Sequence, residues 1–290
     1  MTSAVVLMAY GSPERLQDVS AYYADIRGGR PVKPELLADL VERYRRLGIE
    51  DGSPLNAITE ETRDSLEREL GIPVFTGMKH WTPRIAEAVA SALETGASTV
   101  VGLVLAPHYS PLSIAGYRRQ VESALGDSAE LAFVERWGTE PGFVDLLADR
   151  VRGTEAHVVF TAHSLPVDGS GDYEEQLLET ASAIAERAAL REWSFSFQSE
   201  SPTGVPWLGP DILDHLRALH EGGVRQVLAC PVGFVADHLE IRWDIDVEAA
   251  ELARELGLEF ERIEMPNADP RLVGVLAGLV RRALAVPSRA

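Results

Sequence analysis

Cysteine is almost missing: Cys230 stands alone in a chain of 290 residues. That excludes an internal disulfide framework and any zinc or iron–sulfur site built on cysteine ligands. Lysine is nearly as scarce, with Lys33 and Lys79 only, so arginine carries almost all the positive charge. Positive charge is itself outnumbered, 27 Lys and Arg against 45 Asp and Glu, for a net charge of -18. Such a surface repels phosphate backbones, which argues against a nucleic-acid partner, and it favours the approach of cations. No run of about 18 apolar residues occurs, so no membrane-spanning helix is expected. The opening residues MTSAVVLMAY lack a charged leader and a cleavage site and read as a buried strand, not a signal peptide. These absences leave a cytoplasmic globular protein as the expectation. What is present, 46% hydrophobic and 25% charged residues, suffices for a core in one large or two medium domains.

Apolar runs bounded by turn residues lie at 5–9, 74–75, 100–106 and 131–134. Between them Leu, Val and Ala recur at three- and four-residue spacing over 14–26, 34–47, 58–70, 83–93 and 141–151, the period of amphipathic helices. Proline opens several of these and Gly71, Gly96 and Gly126 close others. The second half repeats the plan, with strands expected at 158–161, 194–197, 227–229 and 258–263 and helices over 173–188, 212–219, 237–256 and 270–283. Alternation of this kind predicts an α/β fold with parallel sheets flanked by helices. AVVLMAYGSP near the start echoes HVVFTAHSLP at 157–166, and VVGLVLAPHYS at 100–110 echoes VRQVLACPVGF at 224–234. Many parallel strands end in such loops. The sharper reading is two similar domains, 1–152 and 153–290, parting at the polar break near Gly153, with the last helix packing back on the first domain. The echoing loops would then share one cleft at the strand ends.

Three constellations carry chemistry. His163, in Ala162-His163-Ser164-Leu165-Pro166, follows a strand directly, where an imidazole serves as base, as metal ligand, or merely to bond its own loop. In the run 237–248, Glu240, Asp244 and Glu248 share one face of a regular helix. Like charges so spaced cost a few tenths of a kcal/mol, roughly, per pair. The run is either a solvated acidic face or a relay for a divalent cation, and Asp246 falls off its face unless the helix is locally widened. Arg27, Arg30, Arg43, Arg45 and Ser53, with Lys79 and His80 beyond, form a third group that suits carboxylates or is ordinary surface arginine. Trp207 lines a pocket or belongs to the core. No HExxH, EF-hand or phosphate-loop motif is present, and no hydrolase triad is supported.

Together VVFTAHSLP, FSFQSESPTGVPWLGPD and CPVGFVADHLEIRWDIDVE resemble the ferrochelatase family, and the likeness extends from VVLMAYGSP to EMPNADP. DIRGGRPVKPELL, GSPLNAIT, GMKH and VLAPHYS strengthen it, while AYGSP and QSESPTGVPWLGPD favour the coproporphyrin III branch of Gram-positive, actinobacterial-like type. The resemblance implies two Rossmann-like domains, each with a four-stranded parallel sheet, and a tetrapyrrole cleft between them. It implies insertion of Fe²⁺, as substrate, into coproporphyrin III, with no cofactor required. His163 and Glu240 match the facing catalytic and metal-handling pair, and Asp244, Asp246 and Glu248 match an acidic ladder toward the surface. Tyr10 matches a phenol on the opposite side of the macrocycle. Arg27, Arg30, Arg43, Arg45 and Ser53 fall in the segment tied to propionates or the cleft rim, and Lys79, His80, Tyr117 and Trp207 are further pocket residues. The expected partners are coproporphyrin III, Fe²⁺ and, transiently, neighbouring haem-pathway enzymes, around a monomer that binds neither membrane nor nucleic acid.

The chain departs from the family pattern in three places. Glu50-Asp51 stands where glycines are usual before Gly52-Ser53-Pro54-Leu55, the loop VDGSGDYEEQ lacks the usual GDPY run, and one cysteine cannot hold the [2Fe-2S] cluster of many actinobacterial relatives. Other readings are a protoporphyrin IX ferrochelatase, a sirohydrochlorin-type chelatase, which should demand a more basic cleft, and a non-catalytic porphyrin or haem binder. A mere binder needs neither His163 nor Glu240.

Overall fold

The computed structural model describes residues 2–49, 52–201 and 203–285; the Glu50-Asp51 departure lies outside the described residues. The first half runs β1 (Ser3–Ala9), α1 (Val19–Ile26), α2 (Pro34–Arg46), α3 (Leu55–Leu70), β2 (Val74–Met78), α4 (Ile85–Glu94), β3 (Thr99–Val104), α5 (Ile114–Leu125), β4 (Glu130–Val134) and α6 (Pro141–Val151). The second runs β5 (His157–His163), α7 (Tyr173–Ala188), β6 (Trp193–Gln198), α8 (Ile212–Glu221) and β7 (Gln226–Cys230). A π-helix (Ile241–Ala249), α9 (Ala250–Leu256), β8 (Glu259–Arg262) and α10 (Pro270–Ala285) complete it.

Two parallel sheets result, with the same internal order: β2-β1-β3-β4 and β6-β5-β7-β8. The echo in sequence is thus an echo in topology, since β1 and β5 each lie second in their sheet between the two strands that follow them in the chain. Val5 pairs with both Val74 and Val101, and Val158 with both Trp193 and Leu228. Central parallel strands are buried on both faces, which is why β1 reads Ala4-Val5-Val6-Leu7-Met8 without interruption, all five fully buried.

The inner faces of the sheets do not close separately. Val5, Leu7, Val101 and Leu103 belong to one core with Val158, Phe160 and Cys230, joined through Phe143, Leu146 and Leu147 of α6, Ile184 of α7 and Leu272, Leu276 and Val280 of α10. The last helix, α10, packs on α3, α6, β3 and β4 of the first half. Burying aliphatic side chains of this size is worth about 1.5–3 kcal/mol each, so the shared core fixes the two sheets against each other. The outer faces are covered locally, Val6 and Met8 by α4 and α5, and Val159 and Val227 by α8, the π-helix and α9.

Two elements differ from the sequence reading. Helix α5 was not anticipated although Ile114, Tyr117, Val121 and Leu125 are buried at helical spacing; Gly116 and the Pro111 loop ahead of it blur the pattern. The helix expected over 14–26 begins only at Val19, after a single 3-10 turn, because Glu14, Arg15 and Gln17 are exposed and offer no apolar face to bury.

Candidate functional site

In a parallel sheet all the carboxyl ends lie on one side, and His163 is the last residue of β5. Its Nδ1 faces the Ser164 carbonyl. Donation there sets the tautomer and turns Nε2 toward Glu240, whose Oε1 is 3.7 Å away. The other carboxylate oxygen, Oε2, lies 3.6 Å from Nε2 of His238, and His238 Nδ1 donates to the Ala236 carbonyl at 2.9 Å. One carboxylate is therefore held between two imidazoles. The His163 loop is fixed from behind: Ser164 N–H donates to the Gln198 carbonyl (2.8 Å), Ser164 Oγ to the Leu208 carbonyl (2.6 Å) and the Tyr173 hydroxyl to the His163 carbonyl (3.3 Å). Gly233 lets the segment leading to Glu240 cross β5, since a Cβ there would stand 2.5 Å from that of Ala162.

Burial on its own would lower the pKa of His163; the Glu240 charge and the hydrogen bonds to Glu240 and Ser164 outweigh it and hold the imidazole well above its ordinary value. Burial would raise Glu240, and His163 and His238 outweigh that in turn, holding the carboxyl well below the usual range. At neutral pH the pair is an imidazolium beside a carboxylate, both side chains partly exposed.

Glu240 leads into the π-helix, so the local widening that the acidic run required is present. It draws in Asp244, which is 6% exposed. Asp244 Oδ2 accepts from Ser199 Oγ and from Gln198 Nε2 (3.4 Å), and Oδ1 lies 4.0 Å from Arg43 Nη1. Burial and the charge of Glu240 push its carboxyl up to about 6. Glu248 follows, half-buried and close enough to add to that shift. Asp246 is not brought to this line: it is turned away and held by Arg262 at 2.7 and 2.9 Å, the same guanidinium that binds Asp237 at 3.0 Å.

The end of β1 carries Tyr10, 39% exposed, its ring 4.6 Å from that of His80. Burial, Glu240 and Asp25 together raise its phenol, so the Tyr10 hydroxyl lies within reach of the Glu240 charge. Lys79 Nζ lies 5.9 Å from the Tyr10 ring and 4.7 Å from that of buried Tyr117. His80 Nδ1 donates to Asp25 Oδ2 at 2.9 Å, and Arg84 grips the same carboxylate at 2.9 and 3.1 Å. The loop after Tyr10 is locked by Asn56, which exchanges two hydrogen bonds with the Ser12 backbone (3.0 and 2.7 Å), by Tyr44 on Ser12 Oγ and by Tyr22 on the Gly11 carbonyl. Gly11 has φ +85°, and a Cβ there would lie 2.8 Å from Trp81 Cβ. Gly11→Ala is therefore expected to cost about 2–4 kcal/mol, strain plus overpacking, read as a lowered melting temperature; an unchanged melting temperature would mean the loop relaxes freely.

The remaining expected residues divide. Arg27 is half-buried with Nε unpartnered, and Ser53 is buried ahead of α3, its Oγ accepting from Leu55 N–H at 3.4 Å. Arg30 and Arg45 are exposed and engaged outside, with the Arg27 carbonyl and with Glu42. Trp207 is half-buried, its indole N–H on Thr203 Oγ1 at 2.9 Å. A groove of about 720 Å³ between α4 and α5 begins at Lys79 and includes Arg84 and Arg119, and another of about 480 Å³ borders His157 at the far end of the second sheet. The sequence reading passed over His238, Asn56, Tyr173 and Asp25. All four lie within motifs already noted, His238 in the acidic run, Asn56 in GSPLNAIT, Asp25 at the head of DIRGGRPVKPELL and Tyr173 in VDGSGDYEEQ, but they act through contacts that spacing does not reveal.

The sequence profile described as Ferrochelatase matches residues 2–284. A ferrochelatase of Herpetosiphon aurantiacus is 43% identical over 96% of this chain and 98% of its own length. A coproporphyrin III ferrochelatase of Halalkalibacterium halodurans is 40% identical over 97% of both. Among solved structures, SirB from Bacillus subtilis with Fe³⁺ superposes with a TM-score of 0.65 over 98% of this chain and 96% of its own, at 12% identity, a likeness of fold.

Proposed function

The chain belongs to the ferrochelatase family, and from that premise we propose that it inserts Fe²⁺ into coproporphyrin III to give Fe-coproporphyrin III, with His163 and Glu240 on the metal-entry face of the ring. The observation that carries this is the 3.7 Å pairing of His163 Nε2, at the end of β5, with Glu240 Oε1, at the head of the π-helix, within reach of the Tyr10 phenol. The reaction exchanges one Fe²⁺ for two pyrrole protons. An ion arriving at Glu240 takes up the charge that holds His163 protonated and adds a like charge beside it, so the imidazolium, which is partly open to solvent, gives its proton to water and becomes a base. Neutral imidazole and the Glu240 carboxylate, freed as the iron passes to the ring nitrogens, then accept the two protons. Asp244 and Glu248 supply weak oxygen contacts on the way in. Tyr10 bears on the other face, positioned by His80. Arg27, Arg43 and Ser53 meet the acid side chains, with Lys79, Tyr117 and Trp207 around the pocket; Arg30 and Arg45 reach them only by leaving their present partners.

The coproporphyrin preference is supported by relatives carrying that name at 37–40% identity over nearly the whole chain and by the cations around the space between Tyr10 and Glu240. Coproporphyrin III offers four carboxylates to them, protoporphyrin IX two. Charge-assisted hydrogen bonds are worth about 1.5–3 kcal/mol, so anaerobic mixing with Fe²⁺ should give kcat/KM at least about tenfold higher for coproporphyrin III, followed by porphyrin absorbance. Equal or reversed preference would overturn the substrate assignment. In this reading the enzyme works as a cytoplasmic monomer. Its partners are its two substrates and, briefly, neighbouring haem-pathway enzymes, without nucleic acid or membrane. A net charge of -18 weighs against a phosphate-backbone partner; among the described residues no helix is long and apolar enough to cross a membrane.

A further inference from the structure

Helix α2 reaches across to the second half through two arginines. Arg43 and Arg46 flank the indole of Trp243, their guanidinium carbons 5.2 and 5.0 Å from its ring centre. Arg46 continues to Glu251 at 3.2 Å. Arg43 is held by Asp39 at 3.0 Å and presents Nη1 to Asp244 Oδ1 at 4.0 Å. The other oxygen of Asp244 is already taken by Ser199 Oγ and Gln198 Nε2. A divalent cation that uses Asp244 must therefore approach Oδ1, where a guanidinium stands. At a separation of about 4 Å the repulsion between the two cations is several kcal/mol at an intermediate dielectric, so ion and Arg43 do not share the site. Arg43 is free to move: its side chain is 34% exposed and Asp39 is more exposed still.

We propose that Arg43 is an occupancy switch: in the empty enzyme it blocks the metal-facing oxygen of Asp244, and it leaves for an acid side chain when a tetrapyrrole enters, opening the iron path only once the acceptor is in place. The proposal rests on the function inferred above and adds an order to it, tetrapyrrole before metal. The two bindings are then coupled and reciprocal: tetrapyrrole strengthens metal binding at Asp244 by the same factor as the metal strengthens tetrapyrrole binding. An enzyme so built does not hold loose Fe²⁺ at the cleft when no ring is present to receive it.

The test uses Mn²⁺, whose free ion is counted by EPR, and zinc coproporphyrin III, which already carries a metal and cannot accept another. In the wild-type enzyme zinc coproporphyrin III should tighten Mn²⁺ binding about five- to a hundredfold, the usual range of such coupling. Arg43→Leu and Arg43→Gln should bind Mn²⁺ tightly without the porphyrin, by a similar factor, and gain little when it is added. Arg46→Leu removes a neighbouring charge that does not face Asp244 and should change far less. Asp244→Asn should abolish the gain in every background. Equal Mn²⁺ affinity in wild type and both Arg43 variants would overturn the switch, as would a porphyrin effect that survives the loss of Arg43. Fluorescence of zinc coproporphyrin III separates the two levels: failure of the porphyrin to bind at all would strike the proposed function, whereas porphyrin binding without coupling to Mn²⁺ would strike only the switch.

Discussion

His163→Ala is expected to cut iron insertion by about 10²–10⁴-fold, the range lost with a positioned acid–base group, while coproporphyrin III still binds within a few-fold of its normal affinity. The split follows from the geometry. The imidazole edge that matters, Nε2, points at Glu240, and Nδ1 is occupied by the Ser164 carbonyl; the acid side chains of the ring are met by other groups. The loop should keep its shape without the imidazole, because Ser164 and Leu208 tie it through their own backbone and hydroxyl contacts. Stopped-flow absorbance gives turnover and fluorescence quenching gives affinity. Near-normal turnover in the variant would remove His163 from the chemistry, and lost porphyrin binding would make it a structural residue instead.

Glu240→Gln should lower turnover by about a hundredfold or more and should also change its neighbour. The sign follows from the causes. Burial pulls His163 down, and the Glu240 charge together with the hydrogen bonds to Glu240 and Ser164 pulls it up by more; with the Glu240 charge removed, burial is opposed mainly by the Ser164 bond and the more distant Asp244, so the imidazole should titrate well below its wild-type midpoint. The neutral imidazole would then gain ground at the expense of the imidazolium. An NMR pH titration of the empty enzyme reads this directly from the His163 ring signals, independently of any iron chemistry. A midpoint that stays put in the variant would mean that the two groups do not share a proton. His238→Gln offers a graded comparison: Glu240 retains His163 as partner, so its carboxyl should rise only part of the way toward the ordinary range.

The sheets were legible because buried parallel strands write themselves as unbroken aliphatic runs, as in Ala4–Met8 and Val158–Phe160. His163 was legible because it closes such a run, and the carboxylates because they follow one closely. The acidic run carried the condition for Asp246 to join its face, a locally widened helix, and the widening is present, yet Arg262, brought close by the pairing of β8 with β7, claims Asp246 and turns it away. Helix α5 was missed by a pattern interrupted at Gly116, and α1 was drawn too long because charge without burial cannot be told from a helical face by spacing alone.

By itself the sequence determined the two-fold plan of strands and helices, the chemical type of each site residue and the family to which the chain belongs, since all three are written locally in runs, turns and motifs. Only the tertiary structure decided which of those residues meet. The holding of Glu240 between His163 and His238, the locking of the loop after Tyr10 by Asn56 and Tyr22, the shared core closed by α10 and the placing of Arg43 near Asp244 all join distant segments. Contacts of that kind depend on how helices and sheets pack, and an ionisable group takes its charge state from the neighbours and burial that packing provides.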